Sequence, residues 1–175
     1  NYNFNLDNSI VFGVEREDDK IGYNKDLTGQ KDKHNHVVSK YFDLQSRITN
    51  NIFFTFGSRF DEHSIAGNED SHRATFAYLF NDKSLKIKSS YGTGFRFPSL
   101  YEMFFVYAAN SNSLGSVKAE NSKSFDLGVE KFFADINLSL EATYFNLKYD
   151  DVLEGWKTGT SSGLAYTTQN MPGTV

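Results

Sequence analysis

The sequence predicts an all-β fold: an antiparallel up-and-down meander that forms part of a transmembrane β-barrel. From Ile136 to Tyr144 every second residue is apolar (Ile136, Leu138, Leu140, Ala142, Tyr144), with Asn137, Ser139, Glu141 and Thr143 between them. A strand sends successive side chains to opposite faces, so this segment has one greasy face and one wet face. The pattern recurs along the chain, and turns of about two residues alternate with polar loops of about ten to thirty, the asymmetry of an outer-membrane barrel. Aromatic residues make up 16% of the chain, 17 Phe and 10 Tyr. A barrel spreads such a load over its lipid face and two interfacial girdles.

Each element follows from the same alternation. Tyr2, Phe4 and Leu6 lead to an Asp7-Asn8 turn, and Ile10, Phe12 and Val14 return. Residues 17 to 37 are polar and predict a long loop. Phe42, Leu44 and Ile48 descend to Asn50-Asn51, and Ile52, Phe54, Phe56 and Phe60 ascend. Tyr41, Asp43, Gln45, Arg47, Thr55, Gly57 and Arg59 take the other face. After a predicted loop at 61 to 71, Ala74, Phe76, Tyr78 and Phe80 lead to Asn81-Asp82, then Leu85, Ile87 and Tyr91. Residues 92 to 121 predict a long loop. Phe125, Leu127, Val129 and Phe133 then pair with the 136–144 strand across Ala134-Asp135. Residues 150 to 163 predict loop, and Leu164 to Asn170 a ninth strand. Phe132-Phe133 at the turn end, and Tyr91, Tyr144 and Tyr149 at the loop end, are candidates for the girdles.

Composition narrows the function. The longest apolar run, Met103 to Ala109, is far shorter than the roughly 20 residues of a membrane helix. Net charge is -4, with no basic patch that suggests nucleic acid. Cysteine is absent, which excludes disulfides and Cys-based zinc sites. The chain opens in a strand at Asn1 without an apolar leader, which reads as a mature or truncated form. The competing reading is a soluble, aromatic-rich β-sandwich or lectin-like ligand-binding domain. Charged residues in mid-strand and strands longer than the usual 5 to 6 residues count against it.

Residues 90 to 104 read Ser-Tyr-Gly-Thr-Gly-Phe-Arg-Phe-Pro-Ser-Leu-Tyr-Glu-Met-Phe. This resembles the Gly-x-Gly-Phe-(Lys/Arg)-x-Pro-(Ser/Thr)-Leu-x-Glu-Leu segment of TonB-dependent outer-membrane receptors, carried here by Gly92, Gly94, Phe95, Arg96, Pro98, Leu100 and Glu102. Val117-Lys118-Ala119-Glu120-Asn121-Ser122 is similar to the family's Leu-Lys-Pro-Glu-x-Ser. Phe125 to Glu130, with Gly128 at its centre, resembles the strand (Tyr/Trp)-Glu-Leu-Gly-Val-Glu. Ala142-Thr143-Tyr144-Phe145-Asn146 with Val152-Leu153 is similar to a further motif, and Gly57 to His63 resembles a Gly-x-Arg-Tyr-Asp-x-His segment of the cobalamin-receptor-like branch. Ala119 and Val117 depart from the family's Pro and Leu. The motif residues are read as architectural: Gly92 and Gly94 let the backbone leave the sheet, and Pro98 fixes the loop's departure.

The resemblance implies a barrel of about 22 strands, of which residues 1–175 would supply about nine. The plug domain and the C-terminal strands of the family find no counterpart in the sequence. It implies location in the outer membrane, contact with lipid, energised uptake of a scarce small nutrient (cobalamin, ferric siderophore or haem), and coupling to the TonB complex through the plug. An isolated piece would self-associate through its edge strands. Lumen charges (Arg47, Arg59, Lys86, Lys88, Glu130, Glu141) would line the wall.

Candidate ligand-binding residues in or beside predicted outer loops are His34, His36, His63 and His72, of which His34-x-His36 could ligate a metal or haem iron in the substrate, and Tyr23, Tyr107 and Trp156, able to stack on a macrocycle or siderophore. For each, a solvated or loop-packing role is the alternative. Glu15, Glu17, Asp18 and Asp19 read either as a Ca²⁺ site of hard oxygen ligands or as a plain acidic loop. No Gly-x-Ser-x-Gly and no Ser-His-carboxylate set is legible, so the chain is read as a non-enzyme. A barrel enzyme is the remote alternative.

Overall fold

The computed structural model describes residues 2–5, 7–22, 32–80, 83–104, 118–160 and 163–170. Eight antiparallel strands form one sheet in sequence order: β1 (Tyr2–Asn5), β2 (Asn8–Ile21), β3 (Lys33–Arg47), β4 (Ile52–His63), β5 (Gly67–Leu79), β6 (Leu85–Arg96), β7 (Glu120–Phe133) and β8 (Leu138–Asp150). One short helix, α1 (Leu100–Phe104), follows β6. A separate two-stranded ladder pairs β9 (Leu153–Thr160) with β10 (Gly163–Asn170). The expected meander is present.

Register sorts the side chains. Phe12 opposes Phe42, Leu44 opposes Phe56, Phe54 opposes Phe76, and Leu127 opposes Tyr144. These residues share one face with Ile87, Val129, Leu138 and Leu140. That face is bare: Phe12 is 70% exposed, Leu140 55% and Tyr144 62%. Arg59 and Lys88 lie on the other face, because Arg59 opposes Tyr41 and Lys88 opposes Gly128. Among the described residues the buried apolar side chains are few, Leu100, Met103 and Ala119 chief among them, and they sit around the loop after β6. A sandwich would bury Phe42, Phe76 and Leu127 between two sheets. Here they face outward in a row.

The polar face is stitched rung by rung. Thr55 and Thr75 share a hydroxyl hydrogen bond of 2.6 Å, Ser90 donates to Asp126 at 2.7 Å, and Lys86 reaches Glu130 at 3.3 Å. Cross-strand pairs of this kind are the unit of sheet stabilisation. The Tyr41 ring lies over Gly13 on the neighbouring strand, where an added Cβ would stand 2.5 Å from the phenolic oxygen.

The turn end matches expectation at residues 48–51 and 134–137. There Asn137 closes a 3₁₀ turn (Ala134–Ile136) in the left-handed region at φ 49°, a conformation asparagine tolerates. Residues 6, 81 and 82 of the other turns lie outside the described residues.

The loop end differs from expectation. Residues 17 to 21 and 33 to 37, expected as loop, continue β2 and β3. The expected loop at 61 to 71 is a three-residue turn between His63 and Gly67. Residues 153 to 160, also expected as loop, form β9, and β10 pairs with it rather than extending the main sheet. The cause is common to all three. A backbone ladder satisfies its own donors and acceptors whether lipid or water lies outside, so strands outlast the apolar stripe by which they were recognised.

Gly92 and Gly94 also depart from expectation. Both stay in the β6–β7 ladder opposite Ser124 and Ser122, and neither has a positive φ, whereas Gly67 does, at φ 95°. What they supply is room: a Cβ on Gly94 would stand 3.1 Å from the Ser122 hydroxyl. Of the girdle candidates, Phe133, Tyr91 and Tyr144 share the apolar face, while Phe132 and Tyr149 alternate onto the polar one.

Leu140→Arg is expected to destabilise the inserted barrel by about 2–4 kcal/mol at mid-depth, and Thr143→Arg on the other face by much less. Denaturant titration of the intact barrel in lipid vesicles reads the difference.

Candidate functional site

Above the apolar band, one rung of the polar face runs Glu15, Ser39, Asp61, Glu69 across β2 to β5. Arg59, one rung below, holds most of it together. Its Nε donates to both Asp61 oxygens at 3.0 Å, one Nη to Glu15 at 3.2 Å and the other to Ser39 Oγ at 2.7 Å. Ser39 and Asp61 are buried, at 2% and 3% exposure. The i, i+2 spacing of Arg59 and Asp61 puts both on one face of β4. Glu69 stands at the end of the rung. Burial raises its carboxyl above the usual range, and neighbouring Asp70 and Asp151 push the same way.

The segment from Arg96 to Leu153 forms a latch. Arg96 forks onto Glu102 with two bonds of 3.0 and 3.1 Å, and its Nε donates to Glu120. Ser99 caps α1: its Oγ accepts from the Glu102 N–H at 3.2 Å, while Glu102 accepts from the Ser99 N–H at 2.7 Å. This is a capping box, and its Ser-x-x-Glu signature was present in the sequence. The second oxygen of Glu120 accepts from the Leu153 N–H at 2.6 Å, tying β7 to the start of β9. Arg96 outweighs burial in holding the Glu120 carboxyl low. For Glu102, burial opposes ionisation, but the Arg96 and Ser99 bonds prevail and its pKa falls. Pro98 is fully buried beneath this latch. The motif is therefore architectural, but through charge pairing and capping rather than through its glycines.

Within the band, Lys88 crosses over Gly128 to reach Glu141 at 2.6 Å. A Cβ on Gly128 would stand 2.9 Å from the lysine stem. Gly128 thus opens a path for an ion pair spanning three strands.

His63 is buried at 6% exposure and lies at the end of β4 rather than in an open loop. Its Nδ1 accepts from the backbone N–H groups of Ile65 and Ala66 at 3.0 and 2.9 Å, closing the turn to β5. The neutral ring therefore carries its proton on Nε2, 2.9 Å from the Asn35 amide. That contact requires the amide oxygen to face the ring, and in the opposite orientation the same oxygen is buried without a partner. Phe97 packs on the ring at 4.7 Å. With both nitrogens engaged, His63 holds the turn and is not free to hold a ligand. Burial lowers its pKa, as does nearby His36, against the pull of Asp19.

The other candidates are dispersed. His34 and His36 lie on β3 opposite Lys20 and Asp18, on the same side of the sheet as the apolar stripe. Of the four carboxylates, Asp18 shares that side and pairs with Arg16 at 2.8 Å, whereas Glu15, Glu17 and Asp19 alternate to the polar side. A strand cannot converge all four, and among the described residues no cluster of three or more His, Asp or Glu has metal-holding geometry. Trp156 falls on β9. Tyr23 and Tyr107 lie outside the described residues.

Register does assemble one set that the sequence hides. His72 Nδ1 lies 2.9 Å from Ser58 Oγ, and Asp70 lies 2.7 Å from His72 Nε2. Ser58 and His72 are directly opposed across β4 and β5, with Asp70 two residues along. The backbone N–H groups of β4 around Ser58 are spent on ladders to β3 and β5, so they do not serve as oxyanion donors beside the hydroxyl. The set is a polar cluster at the band's upper margin.

Over its whole length, residues 1–175, the chain matches the family described as TonB dependent receptor-like, beta-barrel. Its fold is similar to that of the siderophore receptor PirA from Pseudomonas aeruginosa (TM-score 0.78, 17% identity), over 94% of this chain and 34% of that one. The ferric enterobactin receptor PfeA from the same organism gives a TM-score of 0.72 at 17% identity, over 94% and 29%. The copper transporter OprC gives 0.71 at 14%, over 94% and 30%. The chain spans about a third of the length of these receptors.

Arg96→Lys, which keeps one charge but cannot fork onto two carboxylates, is expected to release the α1 segment. Limited proteolysis in folded, membrane-inserted protein should then cut within 97–104 several times faster than in wild type. The stability that neutral His63 confers is full above about pH 6.5, the unfolded value, and declines below it, because the unfolded chain binds the proton first. Hydrogen-exchange protection factors at Ile65 and Ala66, corrected for the intrinsic pH dependence of amide exchange, should therefore fall as pH falls below that value, and His63→Gln should remove this dependence.

Proposed function

This chain belongs to the TonB-dependent receptor-like β-barrel family, an outer-membrane family of receptors and transporters rather than enzymes, and from that premise we propose that it is barrel wall in an outer-membrane receptor for energy-coupled nutrient uptake. The observation that carries the reading is the division of one continuous sheet. Phe12, Phe42, Phe54, Phe76, Leu127 and Leu140 make an apolar face suited to lipid, while Arg59, Lys86, Lys88, Glu130 and Glu141 lie on the opposite one. An aqueous lumen is the environment in which those ion pairs are cheap to keep.

In this reading the short turns face the periplasm and the β2–β5 extensions stand outside the cell. The Arg59 rung would lie on the outer part of the lumen wall, where a ligand first enters. The nutrient is a scarce metal-bearing small molecule. Ferric siderophore comes first, since two of the fold neighbours are siderophore receptors, with cobalamin and haem as the other members of the class. Tyr23, Tyr107 and Trp156 are the aromatic side chains proposed to stack on it. A plug supplied by the complete receptor would meet TonB.

Growth of a receptor-deleted strain on ferric siderophore as sole iron source tests this. The intact receptor is expected to restore growth in a TonB-dependent manner. Restoration without TonB, or uptake unaffected by deletion, would overturn the proposal.

A further inference from the structure

We propose that Lys123 and Lys148 form a binding site for the phosphate of an outer-leaflet glycolipid, an inference that rests on the outer-membrane reading above. The two lysines are directly opposed across β7 and β8 and share the apolar face. Both are exposed. Like charges directly opposite one another destabilise a sheet, so the pairing calls for an anion. Among the described residues no carboxylate supplies one: neither lysine makes an ion pair, although Asp150 lies two residues from Lys148 on the same face.

The contrast with the rest of that face is direct. Arg16, Lys20 and Lys40, the other apolar-face Arg and Lys at the loop end, each hold a carboxylate: Asp18 at 2.8 Å, Asp32 at 3.1 Å and Glu62 at 2.9 Å. Lys123 and Lys148 stand apart from that rule, and they stand together.

Depth identifies the anion. Leu138 opens the apolar stripe of β8 at the turn end, and Lys148 is ten residues on. At about 3.3 Å per residue and a tilt of about 40°, that is about 25 Å along the membrane normal, the height of a barrel's apolar band. Tyr91, Phe125 and Tyr144, all on this face and all more than 40% exposed, form the belt just below. Asn146 and Thr93 flank the lysines with hydrogen-bonding groups. Acyl chains against Leu127 and Leu140 would carry their phosphate to the level of the two ammonium groups. A soluble anion would gain nothing from the belt.

Detergent-solubilised intact receptor is incubated with diphosphorylated lipid A or with the same lipid stripped of phosphate, and retained lipid is counted by native mass spectrometry. Wild type should retain the phosphorylated form about thirtyfold more strongly than the stripped form, as two basic contacts near a membrane surface imply. Lys123→Gln/Lys148→Gln should lose that preference, while Lys40→Gln keeps it. Inorganic phosphate at millimolar concentration should not displace the lipid. Equal retention of the two lipids by wild type overturns the site without touching the barrel reading, as does displacement by inorganic phosphate. Loss of the heat-dependent gel shift of a folded barrel, in wild type, would overturn both.

Discussion

The structure depends on one constraint: a backbone whose outer side meets hydrocarbon can leave no N–H or C=O unpaired. Antiparallel ladders meet it, and here they hold one register from β2 to β8, Asn8 opposite Ser46 through to Phe133 opposite Leu138. Once the ladder is fixed, alternation does the rest. A slip of one residue would carry Arg59, Lys86 and Lys88 to the lipid side and Phe54, Ile87 and Val129 to the lumen. The apolar stripe and the charged stripe therefore specify the same register from opposite faces.

On the polar face the second organising element is charge pairing across several strands. Arg59 gathers Glu15, Ser39 and Asp61 from three strands; Lys88 uses the gap at Gly128 to reach Glu141; Arg96 joins β6, α1 and β7. Each bond is modest where water has access. Their joint effect is positional: Phe97 is held against His63, α1 lies against β2 and β3, Pro98, Leu100 and Met103 are buried, and the loop after β6 has a fixed seat. The family motif of residues 92 to 102 encodes that seat.

Most of the sheet was legible because period two is a strong signal wherever one face is greasy. Phe42, Phe54, Phe76, Leu127 and Leu140 were assigned to one face by alternation alone, and the register agrees. Legibility failed where both faces are wet. Residues 17 to 21 and 33 to 37 read as loop since Arg16, Asp18, His34 and His36 stand where an apolar stripe would be, yet the ladder continues. His63 reads as a loop histidine because nothing local reveals that its ring accepts the N–H groups of Ile65 and Ala66. The Ser58–His72–Asp70 cluster and the Lys123–Lys148 pair are products of register, and register is not local. Ser99 and Glu102 carry the capping-box spacing in the sequence, a signal that the reading of 92 to 121 as loop passes over.

The most direct test uses the absence of cysteine from residues 1–175, with any cysteine elsewhere in the receptor replaced by serine. Single cysteines placed at each position from Leu138 to Lys148 in the intact, membrane-embedded receptor can be labelled with a fluorophore and challenged with a lipid-borne quencher and a water-soluble one. The account predicts a period of two: Leu138, Leu140, Ala142 and Tyr144 quenched from lipid, Ser139, Glu141 and Thr143 from water. Uniform quenching by the aqueous reagent, or protection of the Leu140 and Ala142 positions from both, would place that face inside protein and contradict it.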